Sequence, residues 1–327
     1  MDAEYAITEA ISKLALDESR DLLYALTSNN IINLYNVSGQ ATAPLQRVAI
    51  ASNIFKQAQL LCPPLGTAKL DILDIHAFTA SDSSSIHLMA VTSSGIRFYF
   101  TALRRNFSNY GTSTSVVSGG PSTLELVHVR MVPSSVEYPR STHYDQDTLY
   151  RGPSNSSITH SKSWQPSKLS LASYFGGLLL GSQSPPDPSR PDVLFCASPD
   201  LPRIGNLAMD GAPQIAQVPG TISAYSQSGQ PTRPPFGEYA SILELPAKTW
   251  AIAHLKTPQM PPFAKGSIPS WNDLVTQFTA YPDQFLVLTN DGLSVIVKKR
   301  AVDTLRELIE STRRGGDEEL LRTFLDQ

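Results

Sequence analysis

One phrase recurs along the chain and constrains its fold more than any other feature: a short apolar run, a tight turn, and a second apolar run. Leu22–Thr27 and Ile31–Val37 form the first copy, hinged at Ser28-Asn29-Asn30 and apolar on both faces. Ile86–Thr92 and Gly95–Thr101 repeat it as IHLMAVT and GIRFYFT. A degraded copy joins Gly177–Ser182 to Asp192–Ser198, and a last one joins Gln284–Thr289 to Gly292–Lys298. In that last copy Asn290-Asp291-Gly292 offers the left-handed turn positions such a hairpin requires. Ser12–Leu16 and Pro44–Ile50 flank the first copy as further short strands. A loose repeat of units of four short strands is the signature of propeller blades. The expected fold is therefore mainly β, a partial β-propeller of about four blade-like units over residues 1–299.

The units are separated by stretches of another character. Residues 106–122, 134–166, 183–191 and 227–237 are rich in Ser, Thr, Gly and Pro and poor in apolar periodicity, so they are expected to be mobile insertions. Only 17% of residues are charged, while Pro (25) and Gly (19) are plentiful, as suits many turns. From Arg300 the period changes. Val302, Leu305, Leu308 and Ile309 fall at helical spacing, Arg313-Arg314 close the last turn, and Gly315-Gly316 stop the helix. Asp317 caps a second helix that presents Leu320, Leu321, Phe324 and Leu325. Residues 300–327 thus read as the start of an α-helical solenoid, whose apolar faces are covered only by further repeats. On that reading the sequence is cut short.

A further helix is expected between the first two units, over Ile50–Cys62 and ended by Pro63-Pro64. Ile50, Ile54, Ala58 and Leu61 line one face with Phe55 and Cys62, opposite Ser52, Asn53, Lys56, Gln57 and Gln59. Its polar face carries one charge.

The chemistry these residues exclude is broad. Net charge is −3 and the pI about 6.1, so no basic field draws in nucleic acid, and Lys298-Lys299-Arg300 is too short a cluster to change that. No signal peptide opens the chain and no apolar stretch reaches the 18 residues of a membrane span, so an intracellular, non-spanning protein is expected. Without secretion the sequons at Asn36, Asn106 and Asn155 carry no meaning. Cys62 and Cys196, each in an apolar run, read as reduced buried thiols. No phosphate loop, nucleophile elbow, HExxH or CxxC occurs. Asp71, Asp74, His76 and His87 are the best acid–base or metal candidates, and a buried His–Asp bond that fixes neighbouring strands, or plain exposure, accounts for them better. His128 reads as a strand-surface residue. His143 and His160 lie in an expected mobile insertion, and Trp250 and Trp271 read as packing residues or peptide docking points. No enzyme, cofactor or metal is expected.

Three stretches in order carry a family resemblance: ISKLALDESRDLLYALTSNNIINLYNV, then LMAVTSSGIRFYFT followed by LELVHVRMVP, and finally FLVLTNDGLSVIVKKRAVDTLRELIESTRRGGDEELLRTF. Together they resemble the large scaffold nucleoporins of the nuclear pore inner ring, the 155/170-kilodalton class, in which an N-terminal propeller leads into a long α-solenoid. The resemblance spans roughly Ile11 to Phe324. It implies a structural constituent of the nuclear pore complex in the nuclear envelope, supporting pore assembly and nucleocytoplasmic transport. The implied partners are inner-ring and linker nucleoporins, pore-membrane proteins and the curved nuclear membrane, with no direct nucleic acid. In this family the propeller carries an amphipathic membrane-contacting segment, and the position matches Ile50–Cys62. On that implication Ile50, Ile54, Phe55, Ala58 and Leu61 would touch lipid. A nearly neutral polar face gains little from headgroup charge, so binding would depend on curvature-opened packing defects. Packing of the same helix on the propeller rim is the bland alternative. At the level of function, the alternative is a WD-like propeller adaptor in the cytosol, against which stands the lack of Gly-His and Trp-Asp blade signatures.

Overall fold

A computed structural model describes residues 10–38, 45–66, 70–103, 121–132, 166–185, 187, 190–202, 204–205, 239–255, 281–314, 321–322 and 325. The chain divides into two compact units, Met1–Pro246 and Ala247–Gln327. The expected insertions at 106–122, 134–166 and 227–237 lie wholly or almost wholly outside the described residues, as do Trp271, His143, His160 and most of the second terminal helix.

The first unit contains three four-stranded antiparallel sheets, each a meander in chain order. The first comprises β1 (Ile11–Asp17), β2 (Leu22–Thr27), β3 (Ile32–Asn36) and β4 (Gln46–Ala51). The second comprises β5 (Ile72–Ala77), β6 (Leu88–Thr92), β7 (Arg97–Thr101) and β8 (Glu125–Arg130). The third comprises β9 (Leu171–Phe175), β10 (Leu178–Gln183), β11 (Val193–Ser198) and β12 (Tyr239–Glu244). Their first strands adjoin one another, β1 with β5 and β5 with β9, as the inner strands of consecutive propeller blades do. Tight turns supply the reversals. Asp21 and Asn30 take left-handed φ of 54° and 59°, a conformation that short polar side chains tolerate best. Gly95, at φ 83°, admits no side chain at all: a Cβ there would stand 2.9 Å from Val132 Cγ1 and 3.0 Å from Pro166 Cβ.

The cores lie between the sheets. One cluster joins Leu22, Tyr24, Leu26 and Leu34 of the first sheet to Leu88, Ala90, Phe98 and Phe100 of the second. Another joins Met89, Val91, Tyr99 and Val127 of the second to Tyr174, Leu179, Phe195 and Ile242 of the third. Alternating residues of β6 feed opposite clusters, so the second sheet is covered on both faces and every residue of β6 and β7 is buried. This overturns the surface placement expected for His128, which is 4% exposed beside Tyr99. Arg97 is wholly buried in the same sheet. Its guanidinium carbon lies 5.9 Å from the Phe195 ring centroid and its Nη2 donates to Met131 O.

Polar ties cross from the first sheet to the second. Arg20 Nη1 donates to Asp17 Oδ2 at 2.8 Å and to Phe78 O at 2.9 Å, while Nη2 reaches Ser83 O. The Ala80 amide donates to Ser19 Oγ at 2.7 Å and the Ile72 amide to Asn30 Oδ1 at 2.9 Å. Lys13 Nζ meets Asp74 Oδ2 at 3.4 Å.

The second unit contains a three-stranded sheet, β13 (Thr249–Leu255), β14 (Gln284–Thr289) and β15 (Gly292–Val297). Phe285 and Val287 are buried on one face. In the β14–β15 turn only Gly292 has positive φ, at 135°, so Asn290 and Asp291 do not take the left-handed positions expected of them. An α-helix then runs over Ala301–Arg313, labelled α2 below, because α1 is the helix of the first unit described next. Arg300 caps it: its amide donates to Asp303 Oδ2 at 3.1 Å, and its guanidinium grips both oxygens of the same carboxylate at 2.7 Å. The fold is mainly β, with four blade-like sheets. The expected division at residue 300 falls inside the second unit, where β15 passes into α2.

Candidate functional site

Helix α1 spans Ile54–Leu61, four residues shorter at its start than its periodicity predicts. Ile50 belongs to β4, paired with Asn33 of β3, and the chain turns from strand to helix at Asn53 with a left-handed φ of 55°. The i, i+4 spacing of Ile50 and Ile54 imitates a helix, but cross-strand pairing holds Ile50 in the sheet.

The apolar stripe of α1 faces protein. Ile54, Ala58 and Cys62 are at most 1% exposed and belong to the cluster between the first two sheets. Phe55, half-buried, meets Phe98 edge-on with ring centroids 5.9 Å apart. Leu61, also half-buried, packs against the same cluster, and the Pro63–Leu65 3₁₀ turn adds Leu65. Ile50 is 48% exposed but stands on the strand rather than the helix. Leu60, outside the expected face, is 78% exposed. The polar side chains hold the flanking backbone: Gln59 Nε2 donates to Gly66 O at 2.6 Å and Gln57 Nε2 to Ser52 O at 3.4 Å. The expected lipid-facing residues are thus split, with Ile54 and Ala58 in the core, Phe55 and Leu61 at its margin, and Ile50 apart.

The acid–base candidates are not brought together either. Asp74 is paired with Lys13 across the sheets, and its own strand neighbour Ile75 donates an amide to its Oδ1 at 2.9 Å. His76 packs on the Tyr174 ring, where loss of hydration pushes its pKa down to about 4 against the opposing pull of Asp74. His87 is 2% exposed. Its Nδ1 accepts the Ala102 amide at 3.2 Å, and burial, aided by Arg20, pushes its pKa down to about 4. Burial also raises the Cys196 thiol to about 11 and keeps that of Cys62 above its ordinary value. These environments favour neutral, inert groups. Among the described residues no group of His, Cys, Asp and Glu could hold a metal ion, and no helix is long and apolar enough to cross a membrane.

The second unit also exposes apolar side chains. Leu288, Leu293, Val295 and Val297 are between 45% and 60% exposed on the face opposite Phe285 and Val287. Trp250 is 61% exposed, donating Nε1–H to Asn290 Oδ1 with Lys248 Nζ 5.7 Å from its ring. Of the basic cluster, Lys299 meets Glu307 at 2.7 Å and Arg300 meets Asp303, so acids of α2 offset both charges. The sequence concealed this face because the strand phrase reads as apolar throughout, with nothing to mark which side is covered.

Consecutive meanders packed face to face through inter-sheet cores, first strands adjoining, define a β-propeller-type protein. The chain belongs to the nucleoporin N-terminal family described as Nup133 N terminal like, whose profile matches residues 6–295. A Schizosaccharomyces pombe protein designated a probable nucleoporin is 29% identical over 92% of this chain. Nucleoporin NUP170 of Chaetomium thermophilum is 25% identical over 98%, and the Drosophila melanogaster nuclear pore complex protein Nup154 is 21% identical over 99%. The chain spans 21% of the length of each of these relatives. The crystal structure of the Chaetomium thermophilum Nup170 N-terminal domain in complex with Nup53 has the same fold, with a TM-score of 0.60, 23% identity, and coverage of 96% of this chain and 40% of that one.

Proposed function

We propose that this chain is part of an inner-ring scaffold of the nuclear pore complex, positioned at the nuclear envelope, where it supports pore assembly and nucleocytoplasmic transport by holding other nucleoporins. The observation that carries this reading is family membership across residues 6–295, with nucleoporins as the relatives it matches. The chain works by binding and not by catalysis, in keeping with titratable groups that are buried neutral or already paired. Its partners are other inner-ring subunits, pore-membrane proteins and linker nucleoporins. The Nup170 domain of the same fold was solved with Nup53, which supports a comparable linker for this chain. Contact of α1 with curved nuclear membrane belongs to the same proposal in a form that leaves the packed stripe in place. Leu60 then reaches lipid, with Phe55 and Leu61 half-covered behind it. The fluorescently tagged gene product is expected to form a punctate nuclear rim. A diffuse cytosolic signal at native expression would overturn the scaffold assignment.

A further inference from the structure

A serine or threonine stands directly before a proline at three places in the chain: Ser184-Pro185, Ser198-Pro199 and Thr257-Pro258. Thr257 lies outside the described residues, and the other two differ in setting. Ser198 ends β11, pairs with Tyr239 of β12, and donates its hydroxyl to Gly177 O at 3.1 Å. Ser184 stands one residue beyond the end of β10, exposed, with no partner for its hydroxyl among the described residues. A proline restricts the residue before it to extended backbone. Pro185 therefore presents Ser184 extended, just outside a ladder whose last pair is Gln183↔Val193. A kinase that selects proline after its acceptor needs that presentation, which Ser198 lacks.

The charges around Ser184 suit an anion there. Ser182 pairs with Leu171 on one side and Leu194 on the other, so the residues before β9 and those before β11 flank position 184. On the first side Gln183 holds the chain in place, its Oε1 accepting the Ser167 amide at 2.8 Å and the Lys168 amide at 3.1 Å. Lys168 is exposed and forms no ion pair among the described residues. On the other side the Arg190 amide donates to Asp187 O at 3.1 Å, and its guanidinium lies 3.7 Å from the Asp187 carboxylate. That pair is loose, with side chains 69% and 55% exposed. The other nearby carboxylate, Asp192, is buried and accepts the Ser182 hydroxyl at 3.3 Å.

We propose that Ser184 is a phosphorylation site for a proline-directed kinase, and that its phosphate is held between Lys168 and Arg190. In the transfer Ser184 Oγ bonds to the γ-phosphorus of ATP as the bond to the ADP oxygen breaks. The hydroxyl proton passes to the catalytic carboxylate of the kinase. The product carries about two negative charges and three strong acceptor oxygens. A guanidinium gains more from that dianion than from the single charge of Asp187, and the flexible Lys168 side chain supplies a second contact. The clamp ties the chain before β9 to the loop after β10. The inference does not depend on the pore assignment.

The full chain, incubated with a cyclin-dependent kinase and ATP and mapped by mass spectrometry, tests the acceptor. Ser184 should be labelled at least about tenfold faster than Ser198, whose ladder must open first. Ser184→Ala should remove the signal with the circular dichroism unchanged, since the hydroxyl holds nothing in place. Phosphorus-31 resonance against pH tests the clamp on the same product. A free phosphoserine takes its second proton near pH 6, and the two cations should lower that midpoint by about 0.5 relative to the urea-unfolded chain. The kinase-treated Lys168→Gln, Arg190→Gln double variant should return it to the unfolded value or above, because Asp187 and Asp192 remain. Absence of phosphate at Ser184, labelling of Ser198 at an equal rate, or a midpoint identical in parent and double variant would overturn the inference.

Discussion

Phe55 is the residue at which packing and lipid contact make opposite demands, and its removal can be costed from the structure. The ring is half-covered and edge-on to Phe98, which is fully buried. Truncating a fully buried Phe to Ala costs about 3–5 kcal/mol, so the half-covered Phe55 should cost about 2 kcal/mol and Phe98 the full range. The edge-on pair contributes about 0.5–1.5 kcal/mol beyond area, and the double variant should fall short of the sum of the singles by that coupling. In a unit of this size 2 kcal/mol corresponds to a drop of about 4–8 °C in Tm. Urea unfolding followed by circular dichroism, with vesicle flotation on the same samples, measures both demands at once. A loss below about 0.5 kcal/mol, strict additivity with Phe98→Ala, and wild-type flotation lost in Phe55→Ala would together refute the packing argument.

Two further outcomes follow from groups described above. Leu60→Asp should leave the urea midpoint almost unchanged, since surface changes stay within about 0.5 kcal/mol, yet sharply reduce flotation with small, highly curved neutral vesicles. Equal flotation of parent and variant would remove α1 from the membrane proposal. His87 titrates near 6.5 when unfolded but near 4 when folded, so between those values the unfolded chain binds the extra proton. Stability is therefore lost as pH falls from 6.5 toward 4, by up to about 3 kcal/mol, and unfolding at pH 7 and pH 5 should show a smaller difference in His87→Gln than in the parent.

Much of the sheet structure was legible because its phrases are short and bounded. Leu22–Thr27 and Gln284–Thr289 coincide with β2 and β14 to the residue. Burial was less legible. Val91 and His128 sit in strands whose two faces both meet neighbouring sheets, so alternation there no longer separates inside from outside. Periodicity misled at Ile50, where helical spacing coincided with a residue that β3 holds in register. The amphipathic helix was visible as a pattern, but a pattern cannot say whether its apolar side meets lipid or Phe98.

The placement of the cores has a mechanical consequence. Hydrogen bonds run within each sheet, across its strands, while apolar contacts run between sheets, so cohesion in the first unit is directional. Stretching a sheet across its strands unzips amides one pair after another. Prying the first two sheets apart meets a greasy plane crossed, among the described residues, by the polar fasteners of Arg20, Ser19, Asn30 and Lys13. All four of these residues lie in β1 or in the turns that flank β2, so the fasteners gather toward the inner edge of the plane and leave its outer part to α1 and its Phe55–Phe98 contact. Under load such a seam opens from the outer margin like a cover from its spine, and the same helix that fills the gap is the latch that must lift first.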